Sequence, residues 1–374
     1  MESFDEEHSD NSQEFKRSLH ELADSQLFDT LAAKLFPDTS VEELRQQLSA
    51  CDNARQFQST FMYRCCQWVI ENTMSQFTFS GTEHLDGTPS LFISNHRDIV
   101  LDAMMLQYIL VGKGLDTSHI VIGANLFEMP LMELMAKTNK MYSIGRGGTP
   151  REYYRSLITM SEHLRHLVTR QGESVWIAQR NGRTKDGIDH TDPALIKMIA
   201  GGGNTPDPAS ALGGMHITPI SVSYEWEPCG LLKARELCLR AKGPYTKSPG
   251  EDSDSILRGI LDFKGHVHFT ICQPLQPEVI EACRGDYNII ADIIDQRISE
   301  GYHLWPNNFI AQEMLADEPL TQHPQETKAF KQYIDDACLQ YPLDDTFRQF
   351  LLGIYANPLK RLNHSALEVQ RFYK

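Results

Sequence analysis

Between Phe77 and Tyr224, short apolar runs bounded by turn residues alternate with stretches of helical period, and this alternation restricts the possible folds most. Phe77 with Phe79, Leu91-Phe92-Ile93, Ile120-Val121-Ile122, Met141 to Ile144, Ser174 to Ala178 and Ile217 to Tyr224 read as strands. Asp98 to Leu110, Leu126 to Ala136 and Tyr153 to Thr169 read as helices, the last with Leu157, Ile158, Leu164 and Val168 on one side. Asp192-Pro193 is a helix start, a cap followed by proline at the first helical position. Strands alternating with helices predict an α/β fold, a core of strands covered by helices. Further on, His266 to Ile271 reads as a strand and Pro277 to Glu300 as a helix.

The ends have another texture. Residues 1–24 carry eight acids and two bases and are expected to be a disordered acidic tail. Residues 25–76 show helical period, with Leu27, Leu31 and Leu35, then Val41, Leu44 and Leu48, and caps offered by Asp38, Thr39 and Ser40. Residues 311–374 are again helical and rather polar. The expected division is a tail (1–24), an N-terminal helical module (25–76), a catalytic domain (77–310) and a C-terminal helical extension (311–374).

Charge narrows the function. The formal net charge is -15, which argues against a nucleic-acid partner. Yet Lys140 to Lys185 holds nine Lys or Arg against three Glu, a balance of +6, so the rest carries -21. A basic stretch inside an acidic chain points to an anionic small molecule or lipid headgroup, or to a solvated helix face. No apolar run reaches the ~18 residues of a spanning helix, and the acidic N-terminus lacks a signal's apolar segment. A cytoplasmic location with reduced cysteines is expected.

Four segments hold the chemistry. Ser94-Asn95-His96-Arg97-Asp98, with Asp102 beyond, lies where a strand gives way to a helix. A carboxylate on one imidazole nitrogen of His96 would leave the other free to take a proton; the alternative is a helix-capping Asp98 and a structural histidine. Ile144-Gly145-Arg146-Gly147 sets an arginine between glycines, where it can grip a phosphate or simply sit in a turn. Gln179-Arg180-Asn181-Gly182-Arg183-Thr184-Lys185 puts three cations after a strand, again an anion-site composition. Pro219 enters the strand Ile217 to Tyr224. His266 and His268 share a strand face without a third ligand, so no metal site is expected there. Ser94 is not in a G-x-S-x-G elbow, which argues against a serine hydrolase.

Taken in order, these segments resemble the four sequence blocks of the glycerophospholipid acyltransferase superfamily, the glycerol-3-phosphate and 1-acylglycerol-3-phosphate acyltransferases. Asn95-His96 followed by Asp resembles the N-H-x4-D block. Ile144-Gly145-Arg146 resembles the second, Asn181-Gly182-Arg183-Thr184 the third, and Pro219 with its strand the fourth. The resemblance covers residues 77–225 and departs at two places. Five residues, not four, separate His96 from Asp102, and Asn181 or Arg180 stands where the family has glutamate. These shifts suggest a divergent branch.

The resemblance implies a glycerolipid acyltransferase fold and an acyl transfer without metal or bound cofactor. His96 would be the base, oriented by Asp102 or Asp98. Arg146, Arg183, Gly182 and Arg180 would hold the acceptor's phosphate, and backbone N–H groups at the helix start would hold the oxyanion. The donor would be acyl-CoA or acyl carrier protein. The acceptor would be a lysophospholipid, lysophosphatidate first, with peripheral contact at the inner face of the membrane. The rivals are a non-catalytic lipid- or partner-binding protein on the same scaffold and an acyl hydrolase.

Overall fold

Seven strands form one sheet in the computed structural model, which describes residues 12–123, 126, 130–144, 149–202, 207–319 and 323–372. They are β1 (Met74–Ser80), β2 (Leu91–Ser94), β3 (His119–Gly123), β4 (Met141–Ile144), β5 (Val175–Ala178), β6 (Ile217–Tyr224) and β7 (Gly265–Ile271). The order across the sheet is β1-β7-β6-β2-β5-β3-β4. Every neighbouring pair is parallel except β6 with β7. Helices Leu101–Gly112, Pro130–Thr138 and Pro150–His166 connect β2 to β3, β3 to β4 and β4 to β5. The α/β expectation holds.

The strands alternate their side chains between two cores, as a sheet covered on both faces requires. Phe92 and Trp176 point to one side, with Val222 and the N-terminal helices that bring Phe28, Leu44 and Phe57. Leu91, Ile93, Val175 and Ile177 point to the other, against Leu164, Ile196, Ile290 and Ile294. Each such buried side chain contributes about 1.5–3 kcal/mol. A third cluster, including Ala234, Cys238, Phe330 and Leu351, binds the C-terminal helices to helix Gly230–Lys242.

Several expectations shift. Ser12–Ala23 is helical rather than disordered, because Leu19 and Leu22 lie on one face and are buried despite the acidic surroundings. The rest of the acidic tail lies outside the described residues. The first loop helix starts at Leu101, not at Asp98. The stretch Pro277 to Glu300 is two helices, Pro277–Ala282 and Tyr287–Gly301, broken where Arg284 and Gly285 adopt positive φ. Of the three caps offered, Ser40 is used, accepting from Glu43 N at 3.2 Å.

Candidate active site

His96 stands two residues beyond β2, at the carboxyl edge of the parallel strands, where open α/β sheets place their crevices. The turn before it is pinned by Asn95. Its side chain accepts from Val222 N at 2.8 Å and donates to Val222 O at 2.9 Å and to Asp189 Oδ2 at 3.0 Å. The amide thus continues the β2–β6 pairing past the end of the strand. The carbonyl of His96 accepts from Thr184 N at 2.7 Å, which docks the loop after β5 onto the histidine turn.

The imidazole is oriented by Asp102. Asp102 Oδ2 lies 3.0 Å from His96 Nδ1 and accepts from Arg97 N at 2.6 Å and Asp98 N at 2.9 Å. Its Oδ1 accepts from the Tyr224 hydroxyl at 2.9 Å. Burial and the Asp102 charge push the Tyr224 hydroxyl up from its ordinary value, so it remains a donor. A carboxylate accepts, so Nδ1 carries the hydrogen, and in the neutral ring the lone pair is then on Nε2. The ring itself lines the cleft and is 15 % exposed.

Of the two candidate carboxylates, the imidazole thus meets Asp102. The five-residue spacing is accommodated because the helix begins at Leu101, which makes Asp102 its second residue. Asp98 caps that helix instead: its Oδ1 accepts from Val100 N and Leu101 N, both at 2.9 Å. Its Oδ2 makes no hydrogen bond among the described residues and packs against Gly259, where any Cβ would collide with it. Burial, then the neighbouring Asp102 charge, raises its carboxyl from the usual range. Four of the N–H groups expected to serve an oxyanion are therefore already bonded to carboxylates. The Ile99 N–H has no acceptor among the described residues, and Ile99 lines the cleft.

The cleft has a volume of about 640 Å³, and Arg180, Asn181, Gly182, Arg183 and Lys185 line it together with His96. Arg183 Nη1 and Arg180 Nε are buried without a hydrogen-bond partner among the described residues, whereas Arg180 Nη2 donates to Thr184 Oγ1 at 3.2 Å. A buried guanidinium N–H without an acceptor is costly, and an incoming anion would satisfy it. Of the other cations lining the cleft, Lys185 and Arg240 both pair with Glu236, and Arg183 itself feels the Asp98 charge and bonds Cys229. Arg146 lies outside the described residues.

Sequence reasoning missed two features. Tyr224 is one; it ends the strand of the fourth segment, and its position there was the available signal. The other is a buried set of four charges under the histidine turn. Arg97 Nη2 donates to Asp189 Oδ2 at 2.7 Å, and Nη1 to Glu227 Oε2 at 3.2 Å. Lys233 Nζ donates to Glu227 Oε1 and to the carbonyl of Arg97, both at 2.6 Å. Two cations and two carboxylates cancel; burial pushes the Asp189 carboxyl up, but Arg97 and the hydrogen bonds from Thr184 and Asn95 together hold it below its ordinary range. His266 and His268, by contrast, are occupied by ordinary partners, Glu225 Oε2 at 2.9 Å and the hydroxyls of Thr78 and Ser80.

A carboxylate-held imidazole and an anion-seeking loop, facing one cleft at the carboxyl edge of a sheet, define a class of site suited to moving a group onto a hydroxyl. The family model described as Acyltransferase matches residues 76–221. Residues 76–221 are thus matched as an acyltransferase domain. Among solved structures it is similar to the 1-acyl-sn-glycerophosphate (LPA) acyltransferase PlsC from Thermotoga maritima. Identity is 12 % and the TM-score 0.43, with 78 % of this chain and 94 % of that chain covered. No curated protein matches the chain.

Proposed function

We propose that the protein transfers a fatty acyl group from the thioester of acyl-CoA or acyl carrier protein to the free hydroxyl of a lysophosphatidate-like acceptor. The observation that carries this reading is His96, held by Asp102, facing the cleft that Arg183 lines with an unpartnered N–H. The acceptor phosphate binds Arg183 and Arg180 beside Gly182, with Arg146 assigned there from its motif alone. His96 Nε2 takes the hydroxyl proton as the oxygen attacks the thioester carbonyl. The oxyanion meets the Ile99 N–H. Collapse breaks the C–S bond, and the imidazolium returns the proton to the departing thiolate. No step calls for a metal or a bound cofactor. The catalytic unit is taken as 77–310.

An apolar cavity of about 80 Å³, room for a few methylenes, adjoins the cleft and would take the first carbons of the acyl chain. Ala103, Met104, Val111, Met135 and Met141 line it, and it shares Ile99 and Ile122 with the cleft. An acyl chain lying there has its carbonyl beside Ile99. Ala103→Leu is expected to shift the preferred donor toward shorter chains. Competition between short- and long-chain donors measures this; an unchanged preference removes the cavity from the reading.

The acceptor is a membrane lipid, and no described helix is long and apolar enough to cross a membrane. Peripheral contact is supported by the first turns of helix Pro150–His166. There Arg151, Tyr153, Tyr154 and Arg155 are exposed, and Tyr153 also lines the cleft. Arginines flanking amphipathic rings suit the anionic cytoplasmic face of a bilayer. The test uses labelled acyl donor and a panel of lyso-lipids carried in anionic or neutral vesicles at low salt. Acylation of phosphate-monoester acceptors, faster on anionic vesicles, is expected; Arg183→Ala should raise the acceptor KM at least tenfold. Free fatty acid as the sole product, or acylation indifferent to the phosphate, overturns the assignment.

A further inference from the structure

The last helix of the chain, Asp345–Phe372, begins more than 150 residues after the anion-seeking loop and lies outside the matched domain. Its face at Leu351, Leu352 and Tyr355 is buried with Ala234, Cys238 and Ile310. Its rotation is fixed by polar bonds: Asn308 Nδ2 donates to Tyr355 O at 2.7 Å, and the Tyr355 hydroxyl accepts from Glu227 N at 3.2 Å.

Pro358 sits inside this helix. Proline has no N–H, so the carbonyl four residues earlier, that of Ile354, loses its helical donor. Gly187 packs against that carbonyl. It adopts φ +80°, and any Cβ there would collide with the Ile354 oxygen, so both conformation and contact call for glycine. One residue earlier, the Asp186 carbonyl accepts from Asn357 Nδ2 at 2.7 Å. Asn357 and Pro358 are thus adjacent devices meeting adjacent loop residues. On the loop's other side, the Gly187 carbonyl faces Arg97 Nη2 at 3.5 Å. The loop is therefore held between the C-terminal helix and the buried arginine that follows the base. Arg183 and Arg180 lie three and six residues upstream of Asp186 on the same short loop.

We propose that the C-terminal helix is a positioning element for the cleft. Asn357 and the carbonyl freed by Pro358 seat Asp186 and Gly187, and so set where Arg180 and Arg183 stand relative to His96. The energetic reason is leverage: a reactant misplaced by about 1 Å loses on the order of 10²-fold in rate. The kinetic part rests on the reading that these arginines bind an anionic acceptor; the structural part does not.

The experiment compares full-length Asn357→Ala, Asn357→Asp and Asn357→Gln with the wild type. Acceptor KM, donor KM and hydrogen exchange of loop amides 180–189 are measured. Alanine and aspartate, which lack the donor, should raise acceptor KM about tenfold, the scale of one buried hydrogen bond. Donor KM should stay within about twofold, because the acyl cavity does not touch this loop. Loop exchange should quicken while that of β2 and β6 does not, and glutamine should restore part of both signals. Unchanged acceptor KM with unchanged loop exchange overturns the proposal. So does an equal rise in both KM values that glutamine does not relieve, since that marks general support of the fold. If the wild type acylates no phosphate-bearing acceptor, the functional reading fails. Loop exchange in the alanine variant then decides the clamp by itself: faster supports it, unchanged overturns it.

Discussion

His96→Ala is expected to lower kcat by about 10²–10⁴-fold, the usual contribution of a placed general base, while leaving the melting temperature nearly unchanged. The two halves of this expectation come from different contacts. The ring's polar tie is the 3.0 Å approach to Asp102, and the residue lines the cleft. Removing it takes one donor from Asp102 but leaves three: the amides of Arg97 and Asp98 and the hydroxyl of Tyr224. The carboxylate is therefore not stranded, the turn keeps its shape, and the lost contact with Trp176 is the edge of one ring at 5.9 Å. Acyl transfer and thermal melting, measured on the same preparation, test both halves. Full activity in the variant would end the role assigned to His96; a collapse in melting would mean that the imidazole holds the turn rather than reacting at it.

How far this site was legible depends on the range of its contacts. The strands were readable because runs such as Leu91-Phe92-Ile93 and Val175-Trp176-Ile177 must fill both faces of a covered sheet, and that burden is visible residue by residue. The choice between Asp98 and Asp102 was not readable. They stand two and six residues after the base, and what separates them is the start of the helix at Leu101, which Asp98 itself sets by capping. The cations at Arg180 and Arg183 were visible as composition; that one nitrogen of each lacks a partner was not. Least legible were Arg97 and Asn357, whose partners lie 92, 130 and 171 residues away in sequence. Such pairs carry no local period and no cap signature. The acidic N-terminal stretch misled for the opposite reason: its average charge hid two leucines, Leu19 and Leu22, that suffice to pack one helix face.

Arg97→Met should produce the largest loss of stability, about 3–5 kcal/mol, as expected when one partner of a buried ion pair is removed. Arg97 is 1 % exposed, and its guanidinium serves Asp189 and Glu227 at once. In the methionine variant Glu227 still has Lys233, so the uncompensated charge falls mainly on Asp189. Asp189 keeps only neutral donors, Asn95 and Thr184. A second change, Asp189→Asn, removes that charge while preserving an acceptor, and the double variant should recover roughly half of the loss. Urea denaturation of the two single variants and the double gives the coupling directly. A methionine variant within about 1 kcal/mol of wild type, or a double variant less stable than Arg97→Met alone, would show that the four charges are not acting as a closed set. The same cycle bears on catalysis. Asp189 also bonds Asn95 and Thr184, which flank the base and carry the anion loop, so relief of its charge should restore acyl transfer in the folded fraction in parallel with stability. Recovery of stability without recovery of transfer would assign Arg97 a further duty at the turn, that of holding the Gly187 carbonyl at the far end of the loop.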